Sequence, residues 1–222
     1  MNLRIAVQSK GRLFEESMEL LKEAGIKLNN KKRTLLIPAE DFPIEILFLR
    51  DDDIPQSVAT GVADVGIVGE NEYMEKDTTT TIAKRLGFSK CRLSLAIPKD
   101  LEYQDISWFE GKTIATSYPN ILEGFLKESK ISADIHVISG SVEISPSIGL
   151  SDAIFDIISS GATLVSNRLK EVAVVMKSEA ILIANKGLNA EKQAVLNELI
   201  FRIEAIQLAQ GKKYIVLNAP EN

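Results

Sequence analysis

The sequence predicts an α/β protein made of two lobes of similar size with a cleft between them. Short apolar runs alternate with segments of helical period, and this alternation restarts after Lys112. The chain has 222 residues, of which 45% are hydrophobic, and that is enough to bury a sizeable core. The repeated strand–helix order predicts largely parallel sheets with helices on both faces.

The first half of the chain predicts one strand–helix unit after another. The apolar run at 3–7 predicts a strand, and the apolar spacing over 13–24 predicts a helix that ends before Gly25. The acidic residues 51–53 precede Ile54 and Pro55, the pattern of an N-cap followed by proline in the first helical turn. Further strands are expected at 33–37, 44–49, 63–68 and 93–97, and a polar surface loop at 78–81.

The second half repeats the pattern and then returns toward the first lobe. Strands are expected at 113–115, 134–138, 154–158, 172–175, 180–184 and 214–217. Helices are expected at 121–130, 164–170 and 191–209, with a short helical turn at 148–153.

Composition excludes several classes of function. Lys and Arg number 26 against 31 Asp and Glu, a net charge of −5, which argues against a general nucleic-acid-binding protein. The single Cys91 and single His136 exclude a disulfide framework, a cysteine-based zinc site and a multi-histidine metal site. No apolar run approaches the ~18 residues of a membrane span, and the N-terminus lacks a signal-peptide pattern. We therefore expect a cytoplasmic protein that binds no membrane.

The first candidate site is the turn at 159–164, where a strand ends in small polar residues and a helix begins. Backbone N–H groups and hydroxyls there could bind a phosphate, helped by the helix dipole. Glu143, Asp152 or Asp156 could accept hydrogen bonds from ribose hydroxyls, because one carboxylate can serve both members of a vicinal diol. The alternative is an ordinary strand–turn–helix in which Ser and Thr act as caps.

Other charged segments have both functional and structural interpretations. Lys10 and Arg12 follow the first strand and could hold a polyphosphate, or could lie in a solvated loop. The basic run 31–33 and the acidic run 51–53 are explained as a solvated loop and a helix cap, although acids could also bind Mg²⁺. Tyr118 could line the cleft or simply precede a turn. No G-x-S-x-G, H-E-x-x-H or G-x-G-x-x-G motif is present, so hydrolase, metalloprotease and Rossmann dehydrogenase functions lack support.

Several segments in order resemble one enzyme family. They are IAVQSKGRL at 5–13, LRDDDIP at 49–55, VGIVGEN at 65–71, CRLSLA at 91–96, IATSYP at 114–119, GSVE at 140–143 and GLSDAIFDIISSGATL at 149–164. Each segment alone is weak, but together and in this order the chain is similar, over essentially its whole length, to the ATP phosphoribosyltransferases.

This resemblance implies a fold and a reaction. The fold would be a two-lobed, type II periplasmic-binding-protein-like structure with the active site in the cleft. The reaction would join ATP and phosphoribosyl pyrophosphate (PRPP), with Mg²⁺, to give N1-(5-phosphoribosyl)-ATP and pyrophosphate, the first step of histidine biosynthesis. Adenine N1 already carries a lone pair, so no Ser or Cys nucleophile is needed, and catalysis would rest on positioning and charge stabilisation.

The resemblance also implies roles for residues. The departing pyrophosphate would be held by Arg12 and Arg33, with Mg²⁺, and Lys10 would be a further catalytic residue that lines the cleft near ATP or Mg²⁺. The PRPP-binding set would be Glu143, Asp152, Asp156, Ser159, Ser160, Gly161, Ala162, Thr163 and Leu164. Residues lining the cleft for ATP would be Arg50, Asp51, Glu70 and Tyr118, and the carboxylates that meet Mg²⁺ are left open.

The internal segments resemble the long form of the family, which carries a histidine-binding regulatory domain. We expect one lobe from 1–92 and 175–213, a PRPP-binding lobe from 93–174, and a first strand of the regulatory domain in 214–222. The catalytic core would then form a homodimer, rather than the hexamer of the complete long form, and would not be inhibited by histidine. Two alternatives remain: a two-lobed solute-binding or effector-binding protein, and a subunit that needs a synthetase-like partner.

Overall fold

The computed structural model describes residues 2–28, 34–76 and 79–209. Eleven strands and six α-helices lie in this part of the chain. The strands are β1 Leu3–Gln8, β2 Leu36–Pro38, β3 Ile44–Leu49, β4 Val65–Gly69, β5 Thr81–Arg85, β6 Cys91–Pro98, β7 Thr113–Thr116, β8 Asp134–Val137, β9 Ala153–Ile158, β10 Leu169–Ser178 and β11 Ala180–Ala184. The helices are α1 Arg12–Glu23, α2 Ile54–Ala59, α3 Glu70–Lys76, α4 Pro119–Ser129, α5 Ala162–Ser166 and α6 Ala190–Ala209.

The first lobe is built on a six-stranded sheet in the order β2-β3-β1-β4-β11-β5. Helices α1 and α6 contribute Leu21 and Leu199 to the core on one face, and α2 contributes Ile54 and Val58 to the core on the other. Gly66 of β4 is required for this second contact, because a Cβ there would lie 2.6 Å from Cγ2 of Ile54. The small residue therefore lets α2 lie close against the sheet.

The second lobe is built on a five-stranded sheet in the order β10-β6-β9-β7-β8. Helix α4 covers one face with Leu122 and Leu126, which share a core with Phe155 of β9. Leu164 of α5 and Val142 join the core on the opposite face. The two-lobed α/β architecture is thus as the sequence predicts.

Strand direction differs from the prediction. Both sheets are mixed: β1 runs parallel to β3 and β4, and β7 runs parallel to β8 and β9, but the other five strand pairs are antiparallel. The chain crosses between the sheets twice, after β5 and after β10, and the strands entered at these crossings pair antiparallel to their neighbours. Apolar runs indicate that a strand exists but not in which direction it runs, so the sequence could not supply this feature.

Several predicted elements need correction. The helix expected at 164–170 ends at Ser166, and the chain is already in β10 from Leu169. The helical turn expected at 148–153 is replaced by two 3₁₀ turns, Val142–Ile144 and Pro146–Ile148. The expected N-cap at 51–53 is itself a 3₁₀ turn, and the Asp53 side chain makes no capping hydrogen bond.

Two elements were not expected at all. Helix α3 follows β4 without a loop, and β5 begins within the segment expected to be a loop. Strand β5 has an exposed or half-exposed side chain at every position, so it lacks the apolar pattern that marks a strand. The predicted strand at 214–217 and the segment 214–222 lie outside the described residues.

The sheets divide the chain close to the expected lobe boundaries. The expected boundaries, 92/93 and 174/175, fall within β6 and β10, both of which belong to the second sheet. The exact residues at which one lobe ends and the other begins stay a prediction. Within the described residues, no helix combines the length and apolar composition that crossing a bilayer requires.

Candidate active site

The carboxyl ends of four strands face the space between the lobes. Residues just after β1 and β4 in the first sheet form hydrogen bonds with residues just after β9 and β7 in the second: Arg12 with Ser159, and Asn71 with Tyr118. Side chains beyond the carboxyl ends of parallel strands are where α/β proteins usually bind ligands. Most of the predicted site residues follow one of these four strand ends, but Arg50 and Asp51 follow β3, and Glu143 follows β8.

Arg12 joins the two lobes at this place. It is the first residue of α1, and Gly11 before it has a φ of +90°, a left-handed conformation that glycine adopts without strain. The Nη1 of Arg12 donates to Oγ of Ser159 at 2.9 Å, and its Nη2 donates to the carbonyl of Lys90 at 3.2 Å. Arg12, which is predicted to bind pyrophosphate, therefore lies against the predicted phosphate-binding turn of the other lobe.

The turn after β9 has the backbone of an anion site. Gly161 has a φ of +83°, and α5 begins at Ala162. Ser160 and Thr163 are exposed, so their hydroxyls can reach a ligand, and the first N–H groups of a helix lack partners inside the helix. Leu164 needs a correction, because its side chain is only 7% exposed and packs in the core, so only its backbone can face a phosphate.

Asp156 lies in a partly buried, acidic part of the cleft. Burial, with a smaller contribution from the nearby Glu143 carboxylate, raises the pKa of Asp156 to about 6, although a hydrogen bond from the Ile157 N–H, 2.8 Å long, opposes the increase. Burial and the Glu72 carboxylate raise the pKa of Tyr118, and the charge of Asp156 adds a smaller increase. Glu143 and Tyr118 therefore both lie close enough to Asp156 to interact with its charge.

Asp152 is not part of this space. It precedes β9, whereas the phosphate turn follows the other end of the strand, and six strand residues span about 20 Å. Its Oδ2 accepts a hydrogen bond from the Thr113 N–H at 2.9 Å. The predicted role in ribose binding is therefore wrong for Asp152, whose carboxylate instead fixes the start of β7.

Glu72 is a cleft residue that sequence reasoning missed. The Tyr118 hydroxyl donates to Oε1 of Glu72 at 2.9 Å, and Nδ2 of Asn71 donates to the Tyr118 hydroxyl at 3.3 Å. Burial raises the pKa of Glu72, and the carboxylates of Asp51 and Asp52 add to the increase. The available signal was the polar segment directly after the buried strand β4, at its carboxyl end.

Glu70 and Arg50 are already engaged in ion pairs. Both carboxylate oxygens of Glu70 accept from the Arg85 guanidinium, one of them at 2.7 Å, and Glu70 is only 8% exposed. A buried carboxylate in a two-point pair with arginine is a structural contact, so Glu70 is not a free ligand for ATP. Arg50 contacts Asp52 at 3.2 Å and is largely exposed beside Asp51 at the cleft edge.

The remaining predicted residues have simpler outcomes. Lys10 is exposed in the bend that follows β1, on the cleft side of the first sheet. Arg33 lies outside the described residues. Beside the cleft, a cavity of about 430 Å³ is lined by Glu70, Arg85, Lys90, Cys91, Arg92, Ser159, Lys177, Ser178 and Glu179.

Comparisons with known proteins identify the family of this chain. The model of the family HisG, ATP phosphoribosyltransferase, matches residues 50–205. A protein of Parabacteroides distasonis named ATP phosphoribosyltransferase is 71% identical over 219 residues, which are 99% of this chain and 77% of that protein. Another so named, from Bacteroides thetaiotaomicron, is 68% identical over 99% of this chain and 78% of its own length.

Solved structures show the same architecture. The ATP phosphoribosyl transferase (HisG:HisZ) complex from Thermotoga maritima contains a chain with a TM-score of 0.79 and 27% identity, covering 95% of this chain and 100% of that one. The substrate-binding protein of an amino acid ABC transporter has a TM-score of 0.61 at 14% identity, covering 94% of each chain, and shows the fold alone. The periplasmic-binding-protein-like fold is thereby confirmed, and the family is decided by sequence: this chain belongs to the ATP phosphoribosyltransferase family.

Proposed function

We propose that this chain transfers the 5-phosphoribosyl group from PRPP to N1 of ATP, the first step of histidine biosynthesis. The observation that carries the proposal is the contact between Arg12 and Ser159, 2.9 Å long, across the two lobes. It brings a guanidinium suited to pyrophosphate together with a turn suited to a monophosphate. The identity of 71% to a named ATP phosphoribosyltransferase over nearly the whole chain supports the same reaction.

In this proposal the second lobe binds PRPP. The hydroxyls of Ser159, Ser160 and Thr163 and the N–H groups of the turn hold the 5-phosphate. Asp156 and Glu143 accept hydrogen bonds from the ribose hydroxyls. Asp156 serves this role best when ionised, and its pKa of about 6 leaves it mostly ionised at pH 7.

The first lobe contributes residues that bind the leaving pyrophosphate and ATP. Arg12 neutralises the pyrophosphate as it departs, with Lys10 nearby and Arg33 assigned by resemblance only. Adenine N1 forms the new bond to the ribosyl carbon with its lone pair, and the electron pair of the broken C–O bond leaves with pyrophosphate. Tyr118, Arg50 and Asp51 line the ATP side of the cleft.

The family uses a divalent metal in catalysis, and we propose Mg²⁺ for this chain. No group of three or more His, Cys, Asp or Glu side chains is arranged to hold a metal within the described ranges. Mg²⁺ commonly binds one or two carboxylates together with substrate phosphates, and Asp156 and Glu143 fit that requirement. When bound, Mg²⁺ would neutralise charge on the pyrophosphate. Calorimetric titration with PRPP should show clearly weaker binding in EDTA than with excess Mg²⁺.

The transferase activity can be tested directly. Purified protein is mixed with ATP, PRPP and Mg²⁺, and adduct formation is followed by ultraviolet absorbance, with and without histidine. We expect turnover that is lowered ~10²-fold or more in Arg12→Gln, because charge on the leaving group is then unopposed. Lys27→Ala removes an exposed cation that pairs with Asp41 at 3.6 Å and should leave turnover unchanged. Absence of binding to either substrate would instead favour a solute-binding function.

We further propose a cytoplasmic homodimer. Both substrates are products of cytoplasmic metabolism, and the resemblance to the long-form core favours self-association. The solved relative from Thermotoga maritima is described as a HisG:HisZ complex. Light scattering of the purified chain should give the mass of two chains, and a mass of one chain at micromolar concentration would contradict the dimer.

A further inference from the structure

Helix α4 begins without a capping side chain from its own segment. Its N-cap residue is Tyr118, whose side chain makes no capping hydrogen bond, and Pro119 occupies the first turn. The first N–H groups of a helix have no partners inside it, so they need an acceptor from elsewhere. This helix starts close to the cleft, because only two residues separate it from the end of β7.

Glu75, in the other lobe, supplies that acceptor. The N–H of Asn120 donates to Oε1 of Glu75 at 3.0 Å, and the N–H of Ile121 donates to Oε2 at 3.1 Å. Nδ2 of Asn120 also donates to the Glu75 carbonyl at 2.9 Å. Glu75 is only 6% exposed, so water cannot readily replace these bonds. A carboxylate at this end of a helix is also favoured by the helix dipole.

Helix α3 therefore holds the second lobe at two points. Glu72 accepts from Tyr118, and Glu75, three residues later on the same side of the helix, accepts from the start of α4. Helix α3 itself follows β4, whose carboxyl end faces the cleft. The hydrogen bonds between α3 and α4 thus link two strands at the cleft, β4 and β7, and only a few residues separate each strand from these bonds.

We propose that Glu75 is a positioning residue for phosphoribosyl transfer, and this inference rests on the proposed function. By fixing α4 to α3, Glu75 sets where the PRPP-binding turn of one lobe lies relative to Arg12 and the ATP groups of the other. It need not touch either substrate. A displacement of about 1 Å between reacting groups can cost ~10²-fold in rate, so this registration matters more for turnover than for binding of PRPP alone.

The test compares Glu75→Gln with a matched control, Glu110→Gln. Glu110 also accepts from a backbone N–H, that of Ser132 at 2.9 Å, but Glu110 and Ser132 both belong to the second lobe. In Glu75→Gln we expect amide hydrogen exchange at 120 and 121 to rise about 10-fold and kcat to fall ~10–100-fold, while the Kd of PRPP stays within about 3-fold. Glu75→Asp keeps the charge but shortens the side chain, and it should lose kcat as well. Glu110→Gln should keep the kcat of the wild type.

The results distinguish a positioning role from a merely structural one. A merely structural role would lower the melting temperature but leave kcat per folded molecule unchanged, and that result would overturn the inference. Unchanged amide exchange at 120 and 121, or wild-type kcat in both Glu75 variants, would also overturn it. A wild-type chain without turnover would contradict the proposed function itself, and the positioning role with it.

Discussion

Among single residues, the balance between burial and charge is clearest at Asp156. Its carboxylate lies in a partly buried, acidic space, so it holds its proton up to a higher pH in the folded protein than in the unfolded chain. A ligand that offers two hydroxyl donors would favour the ionised form instead. The same residue therefore destabilises the empty protein at neutral pH and is suited to bind a ribose.

The pH dependence of stability tests this balance. Below its ordinary value of 3.8 the Asp156 carboxyl is protonated in folded and unfolded chains, and between that pH and about 6 only the unfolded chain ionises. Stability from this group is thus present at low pH and is lost as pH rises through about 6. Asp156→Asn should be more stable than wild type at pH 7.5, with a difference that disappears near pH 4, and should bind PRPP more weakly.

Thermal unfolding at several pH values, with calorimetric titration of PRPP, measures both effects. Asp134→Asn, on the exposed strand β8, serves as control and should give the same small change in melting temperature at every pH. A stability difference for Asp156→Asn that does not vary with pH would show that burial of the charge is not its cause.

At the scale of elements, the turn before α5 is the part of the site that depends on backbone conformation. Gly161 at φ +83° directs the chain from β9 into α5, and no neighbouring atom would obstruct a Cβ. Alanine there would meet only backbone strain, of about 1–2 kcal/mol. The local result would be a shift of the N–H groups that the phosphate is proposed to contact.

Gly161→Ala should therefore weaken PRPP binding by about 10-fold, with a small loss of stability. Gly111→Ala is a matched control, since Gly111 has a φ of +68°, equally free of neighbours, in the second lobe but outside the turn. It should show a similar loss in urea unfolding and an unchanged Kd for PRPP. Equal affinity in the two variants would contradict a phosphate site at the turn.

For the whole molecule, several polar contacts between the lobes border the cleft. Arg12 contacts Ser159, and Tyr118 contacts Glu72 and Asn71. Asn71 is itself fixed by a hydrogen bond from the Ser178 hydroxyl at 2.9 Å, next to the second chain crossing. These hydrogen bonds, together with those of Glu75, help to fix the relative position of the lobes.

Removing the Tyr118 hydroxyl should show how strongly the lobes are coupled. In Tyr118→Phe, the half-buried Glu72 loses a donor, so its pKa should rise further and the free energy of unfolding should fall by about 1–3 kcal/mol. Turnover should fall as well. Tyr73→Phe removes a hydroxyl that contacts the Thr80 carbonyl at 3.3 Å within the first lobe and should leave kcat unchanged. Urea unfolding and steady-state kinetics measure both, and equal kcat values for the two variants would contradict the coupling.

The order of residues along the chain was enough to establish the family, the two-lobed α/β class and most strand positions. Apolar runs identified β3 and β11 with their limits, because a buried strand needs a continuous apolar segment. The segments around Arg12 and 159–164 were compatible with phosphate binding and also with a solvated loop and a capped turn, and the resemblance to the family favoured phosphate binding. Strand positions and short binding segments depend on residues that are neighbours in the chain, so the sequence alone can predict them.

Which of the charged residues share a site was settled by folding. Asp152 and Asp156 are four residues apart in one acidic motif, yet a strand directs one toward Thr113 and the other into the cleft. Glu70 is paired with Arg85, whereas Glu72 and Glu75, further along α3, contact the other lobe. Strand pairing and contacts between lobes bring together residues that are far apart in the chain. The sequence around one such residue does not show which distant residue will be its partner.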